Sequence, residues 1–157
     1  MPKERATPFW QTHRIESALA GTNPMVLTAL PGGFVALEDV QFLPGYCVLL
    51  PKRQVGSLNE LSWSERADFL TSMAYVGDAL LAVCHPQRIN YDILGNTDEF
   101  LHAHIFPRYA WEPPERRKMP VWQYPVENWH DPETAYQPAK HAALRQQLKC
   151  YLDQHLA

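Results

Sequence analysis

Between Leu101 and Arg108 the chain reads Leu-His-Ala-His-Ile-Phe-Pro-Arg, an alternation with a period of two. Side chains alternate across a strand, so Leu101, Ala103 and Ile105 share one face while His102, His104 and Phe106 share the other. The apolar face packs on a helix and the imidazole face looks into a cleft. A strand of this kind needs neighbours, and the rest of the chain supplies them.

Two further strands, Met25 to Leu30 and Phe34 to Asp39, flank Pro31-Gly32-Gly33. That junction reads as a tight hairpin, with glycine supplying the positive φ a short turn needs. Leu43-Pro44-Gly45 is a second turn, and Tyr46 to Leu50 an apolar strand limited by Pro51. Ile89 to Leu94 is another strand, with Gly95-Asn96 as its turn. A first helix is expected from about Phe9 to Ala20, ending at Gly21. The clearest helix starts at Ser62, where Ser62 and Glu65 form a capping-box pattern. Phe69, Met73, Val76, Leu80 and Val83 then recur at helical spacing, and His85-Pro86 stops the helix. A last helix is expected over about 138–156, with Leu144, Leu148, Tyr151 and Leu152 on one face. This order predicts an α+β fold: about five strands in an antiparallel sheet, a long helix on the apolar face, and a C-terminal helix.

The length, 157 residues, suits one domain spanning 1–157. No run of about 18 apolar residues appears, which excludes a membrane span on pattern. Met1 to Thr12 carries no apolar stretch behind its basic residues, so a signal peptide is not expected. A net charge of −3 argues against a broad surface for polymeric nucleic acid. Cys47, Cys84 and Cys150 form no CxxC pair, which points to reduced thiols in a cytoplasmic protein. Seven of the fourteen prolines lie in 107–138 together with Trp111, Trp122 and Trp129. Proline excludes regular helix and central strand there. The tryptophans suggest an ordered wrap on the body of the protein, acting as substrate lid, subunit contact or packing.

By itself the His102/His104 pair has three uses: metal ligands, a nucleophile with its helper, or polar surface. Metal binding needs further ligands, and His13, Asp92, Glu99 and His130 offer no telling spacing. The wider context separates these. The run from Gly95 through Asn96, Phe100, His102 and His104 to Pro107-Arg108-Tyr109 resembles the signature of the histidine-triad (HIT) superfamily of nucleotide hydrolases and transferases. The segment 34–51 is similar to the family's earlier strand–turn–strand, and the Ser62 helix stands where the family has its long helix. The resemblance covers 34–109 and is nearest to the diadenosine tetraphosphate hydrolase-like members.

That resemblance implies a HIT-like fold, no cofactor or metal in the chemical step, a homodimer, and a mono- or dinucleoside polyphosphate substrate attacked at its α-phosphate. It puts the nucleophilic middle histidine at His102 and the third histidine at His104. The first histidine falls on Phe100, and the upstream histidine after the Pro-Gly turn falls on Tyr46; both are departures. Glu38 falls where the family binds the ribose hydroxyls, and Asn96 near a phosphate contact. Arg108 is expected near substrate phosphates or as a surface ion-pair partner. Neutral imidazole is nucleophilic near pH 7, and a nucleotidyl-histidine splits one difficult step into two. Phe100 and Tyr46 are poor proton donors, so leaving groups that need protonation should be handled badly. Phe100 is then left to stack and exclude water, and Tyr46 to bond a phosphate. The alternatives are a catalytically weak nucleotide-binding protein of the same fold and a metal-binding protein using His102 and His104.

Overall fold

The computed structural model describes residues 6–154. Its elements run α1 (Phe9–Thr12), α2 (Arg14–Ala20), β1 (Val26–Leu30), β2 (Gly33–Leu37), β3 (Cys47–Leu50), α3 (Trp63–Cys84), β4 (Arg88–Asp92), β5 (Ala103–Arg108), α4 (Pro114–Arg117), α5 (Val126–Trp129) and α6 (Ala142–Gln154). The five strands form one antiparallel sheet in the order β1-β2-β3-β5-β4. The expected α+β architecture is therefore the observed one. β5 lies inside the sheet, with Ala103–Ile105 against β3 and His104–Arg108 against β4.

The apolar face of β5 is buried as the alternation requires: Leu101, Ala103 and Ile105 join one core with Phe69, Val76 and Leu80 of α3. The α3 N-terminus has the expected capping box. Glu65 N donates to Ser62 Oγ at 3.2 Å and Ser62 N to Glu65 Oε2 at 2.8 Å, which satisfies two amides that the first turn leaves free. At the other end His85 takes a left-handed φ of 52° and stops the helix. By length and composition α3 is apolar enough to cross a bilayer, so the pattern argument against a span does not hold for it. Here its apolar stripe covers the sheet, and Trp63, Leu70 and Leu81 face outward.

Other expectations needed correction. The first helix is broken at His13, whose backbone leaves the helical region (φ −131°, ψ 59°). Thr12 Oγ1 donates to Phe9 O, and the His13 ring stacks on Phe9. These local contacts compete with continuation of the backbone ladder. The last helix begins at Ala142 rather than 138, because Gln137 N donates to His141 Nδ1 and the chain turns there first; positions 155 and 156 lie outside the described residues. The proline-rich stretch also contains helix: α4 and α5 are single turns. Pro114 opens α4, and Pro125 directly precedes α5, where a missing N–H costs nothing. Pro107 sits in β5, beyond the residues that pair with β3.

The hairpin between β1 and β2 is tight, with the expected positive φ at one glycine, and its glycines also serve close approach. Gly33 has a positive φ of 155°, whereas Gly32 lies against α3, donating its N–H to Ser72 Oγ at 2.9 Å. A Cβ on Gly32 would stand 2.4 Å from Asp68 O and 2.6 Å from Phe69 Cα, both backbone atoms that cannot swing away. Gly32→Val should therefore cost at least about 2 kcal/mol by overpacking. Gly21→Ala, where the only penalty is a φ of +72° in open space, should cost about 1 kcal/mol. Urea unfolding of the two variants checks the ranking.

Candidate active site

The backbone just ahead of β5 fixes the first histidine. Leu101 N donates to Val55 O at 2.7 Å, holding the 100–102 segment against the core. His102 Nδ1 then lies 2.7 Å from Phe100 O. A carbonyl oxygen only accepts, so Nδ1 carries the hydrogen, and in the neutral ring the lone pair is on Nε2. His102 is buried, with the Phe100 ring tilted against it at 4.7 Å.

His104 is fixed in the opposite sense. Its ring centroid is 4.8 Å from that of His102, at 73°. The Tyr46 hydroxyl lies 2.5 Å from His104 Nδ1. Burial first, and the Glu38 charge second, push the Tyr46 phenol well above its ordinary value. Burial first, and the neighbouring His102 charge second, pull His104 down to about 4. At pH 7 the phenol keeps its proton and donates it to Nδ1, so neutral His104 carries its hydrogen on Nε2. β5 and the residue just ahead of it thus present two neutral imidazoles of opposite tautomer, one offering a lone pair and the other an N–H.

Tyr46 is positioned by Gln41. Gln41 Nε2 donates to Glu38 O at 3.0 Å and Tyr46 O at 2.9 Å, and Gly45 N donates to Gln41 Oε1 at 2.9 Å. Gly45 turns the chain with a φ of +103°. Glu38, just past β2, accepts from Asp39 N at 3.0 Å. Burial raises its carboxyl above the ordinary value, with the Arg14 charge opposing. Arg14 itself pairs with Asp39 at 3.1 Å.

The cleft has two arms that meet at His102 and His104. One, about 230 Å³, is lined by Glu38, Val40, Tyr46, Val48, Leu50 and Phe100, with Arg14 and Asp98 at its margin. The other, about 400 Å³, runs between Leu94–Asp98 and Trp122. Six of the seven site residues expected from sequence line these arms: His102, His104, Glu38, Tyr46, Phe100 and Asn96. Tyr46 donates to His104, although the sequence reading aimed it at a phosphate.

Arg108 is the exception. It shares the parity of the histidines, but the chain after β5 folds over it. Its guanidinium is buried, donating to both Glu112 carboxylate oxygens, Asn90 Oδ1, Met119 O and Arg116 O. With every donor engaged, Arg108 pins the proline-rich strap and does not line either arm. Arg108 also departs from the surface ion pair expected of it, being nearly fully buried with Glu112.

The strap brings in residues to which the sequence reading gave no site role. Glu112 accepts also from Tyr109 N and Tyr124 Oη, and Ala135 bridges to Val40 at the far end. Between these anchors Trp122 and Trp129 stand on the open face of the sheet against Phe106. Three tryptophans in an aperiodic, proline-dense run were the only signal for them. Asp98 and Arg14 had none. Among the described residues no group of three or more His, Cys, Asp or Glu is placed to hold a metal ion, so the metal reading of His102 and His104 lacks a third ligand.

This geometry has counterparts among known structures. A histidine triad protein from Marinobacter aquaeolei VT8 superposes with a TM-score of 0.69 at 21% identity, covering 83% of this chain and 90% of that one. A histidine triad (HIT) protein from Sinorhizobium meliloti 1021 does so with a TM-score of 0.67 at 20% identity, covering 79% and 86%. This chain has the histidine-triad fold. The resemblance carried by 34–109 is thereby borne out at the level of the fold. In sequence, the chain is 32% identical over 93 residues to the bis(5'-nucleosyl)-tetraphosphatase [asymmetrical] of Schizosaccharomyces pombe, a match covering 56% of this chain. The match spans 50% of that curated relative's length. No family model matches the chain.

Neutral His104 leaves a pH signature in the stability of the fold. The unfolded imidazole titrates near 6.5 and folded His104 at about 4, so the unfolded chain binds this proton more tightly. Stability resting on neutral His104 is complete above pH 6.5 and is lost as pH falls from 6.5 toward 4. Proton-detected NMR titration should place His104 near 4. His104→Gln should flatten the loss of stability across that window in urea melts.

Proposed function

We propose that this chain is a nucleotide hydrolase or nucleotidyl transferase acting at the α-phosphate of a mono- or dinucleoside polyphosphate. The observation that carries the reading is the bond from His102 Nδ1–H to Phe100 O, which leaves Nε2 as the ring nitrogen open to a substrate, on a residue that lines both arms of the cleft. The nucleoside arm suits its ligand: apolar Val48 and Leu50 and the Phe100 ring take the base, and Glu38 at the rim accepts hydrogen bonds from ribose hydroxyls.

In the first step His102 Nε2 attacks the α-phosphorus. The bond to the bridging oxygen breaks, and its electron pair leaves with the departing phosphate. In the second step water attacks the nucleotidyl-imidazole, giving the nucleoside monophosphate and restoring His102. His104 Nε2–H donates to a phosphoryl oxygen as charge builds there. Tyr46 keeps it in that tautomer, as an orienting partner does in other imidazole-based sites. A departing polyphosphate is a stable anion and needs no proton. Phe100, in the place of a proton-donating histidine, therefore favours phosphoanhydrides over esters and amides.

The S. pombe relative, a bis(5'-nucleosyl)-tetraphosphatase, supports the same substrate class. Purified protein should cleave diadenosine tetraphosphate to two mononucleotide products, resolved by ion-exchange chromatography. His102→Ala should lower kcat by at least about 10³-fold while AMP still binds. Tyr46→Phe should lower kcat about tenfold with KM little changed, because it releases the His104 tautomer. Glu38→Ala should chiefly raise KM. If wild-type protein binds AMP but does not turn over any such substrate, the nucleotide-binding alternative replaces this reading.

A further inference from the structure

Trp122 stands where the two arms of the cleft meet and lines both, whereas Trp129 lines only the nucleoside arm. The two indoles are parallel, with centroids 5.1 Å apart and an interplanar angle of 3°. Trp122 meets His104 at 4.9 Å and Phe106 at 5.5 Å, both at 84°. Its Nε1–H donates to Asp92 Oδ2 at 2.9 Å. Contacts on one face, one edge and the ring nitrogen therefore fix its orientation. Trp129 covers one face, and Trp122 is 39% exposed and lines the larger arm, which Trp129 does not. Leu94, 50% exposed, is the other large apolar side chain of that arm.

Burial would normally take an indole of this size out of water, and a solvated one would normally be free to move. A rigid, wet aromatic face beside a reacting centre is a stacking platform. The chemistry around it narrows the ligand. Among the described residues, those lining the larger arm include the Asp98 carboxylate and no lysine or arginine. The carboxylate of Asp98 and the amide of Asn96 suit a neutral ring with N–H donors at its edge.

We propose that the free face of Trp122, with Leu94, forms a subsite for a second heteroaromatic ring, the base carried by the leaving group, so that the site selects dinucleoside over mononucleoside substrates. The proposal rests on the reading of His102 as the centre of nucleotidyl transfer.

The test compares diadenosine tetraphosphate with ATP, which share the transferred group but differ in whether the leaving group carries a base. Trp122→Ala should lower the ratio of kcat/KM for the first over the second by about tenfold. Trp122→Phe, which keeps a ring but loses the bond to Asp92, should lower it less. A ratio unchanged within about twofold overturns the subsite, since a merely structural role would depress both substrates together. The same ratio measured as Kd by calorimetry in the His102→Ala background needs no turnover. Loss of discrimination there supports the subsite, and unchanged discrimination overturns it. If wild-type protein turns over neither substrate, the hydrolase reading fails, and the Kd ratio still decides the subsite.

Discussion

With strands on both sides, β5 has its backbone ladder committed and its two faces forced into different surroundings. Leu101, Ala103 and Ile105 enter the dry core beneath α3, while His102, His104 and Phe106 look the other way. A slip of one residue would bury both imidazoles and expose the apolar set. Register along β3 and β4 therefore protects the chemistry as well as the core.

The open face of β5 would be a shallow platform without the strap that follows it. Arg108 and Glu112 hold that strap by a buried ion pair, an expensive device when either partner is removed. Every donor of Arg108 is used, and the Glu112 carboxylate accepts from Arg108, Tyr109 and Tyr124, so the pair avoids the cost of unsatisfied buried charge. At the other end Val40 bridges to Ala135. Glu38 lies close to that anchor, so the wall bearing Trp122 and Trp129 is fixed to the rim of the smaller arm. Rigidity of the wall is what lets a partly exposed indole hold one orientation.

The sheet, the long helix and the histidine face were legible because each depends on local pattern. Alternation sorted β5, the Ser62–Glu65 box started α3, and Pro-Gly marked the turn before Tyr46. What the sequence hid is tertiary. Parity put Arg108 with the histidines, yet nothing local shows that a later segment will fold over it. The break at His13 comes from side-chain bonds that no apolar period records. Trp122 and Trp129 belong to a run whose prolines erase periodicity, so their stacking has no signature. Tyr46 was expected near the site, but its role as donor to His104 rests on a contact between residues 58 apart.

The central claim is that His102 Nε2 becomes covalently bonded to phosphorus. Mass spectrometry of the protein, quenched during a single turnover with diadenosine tetraphosphate, tests it most directly. The account predicts an acid-labile, alkali-stable adenylyl adduct that maps to His102 and is absent from His102→Ala. Turnover that proceeds with no adduct at any quench time, or an adduct mapped to another residue, would contradict it.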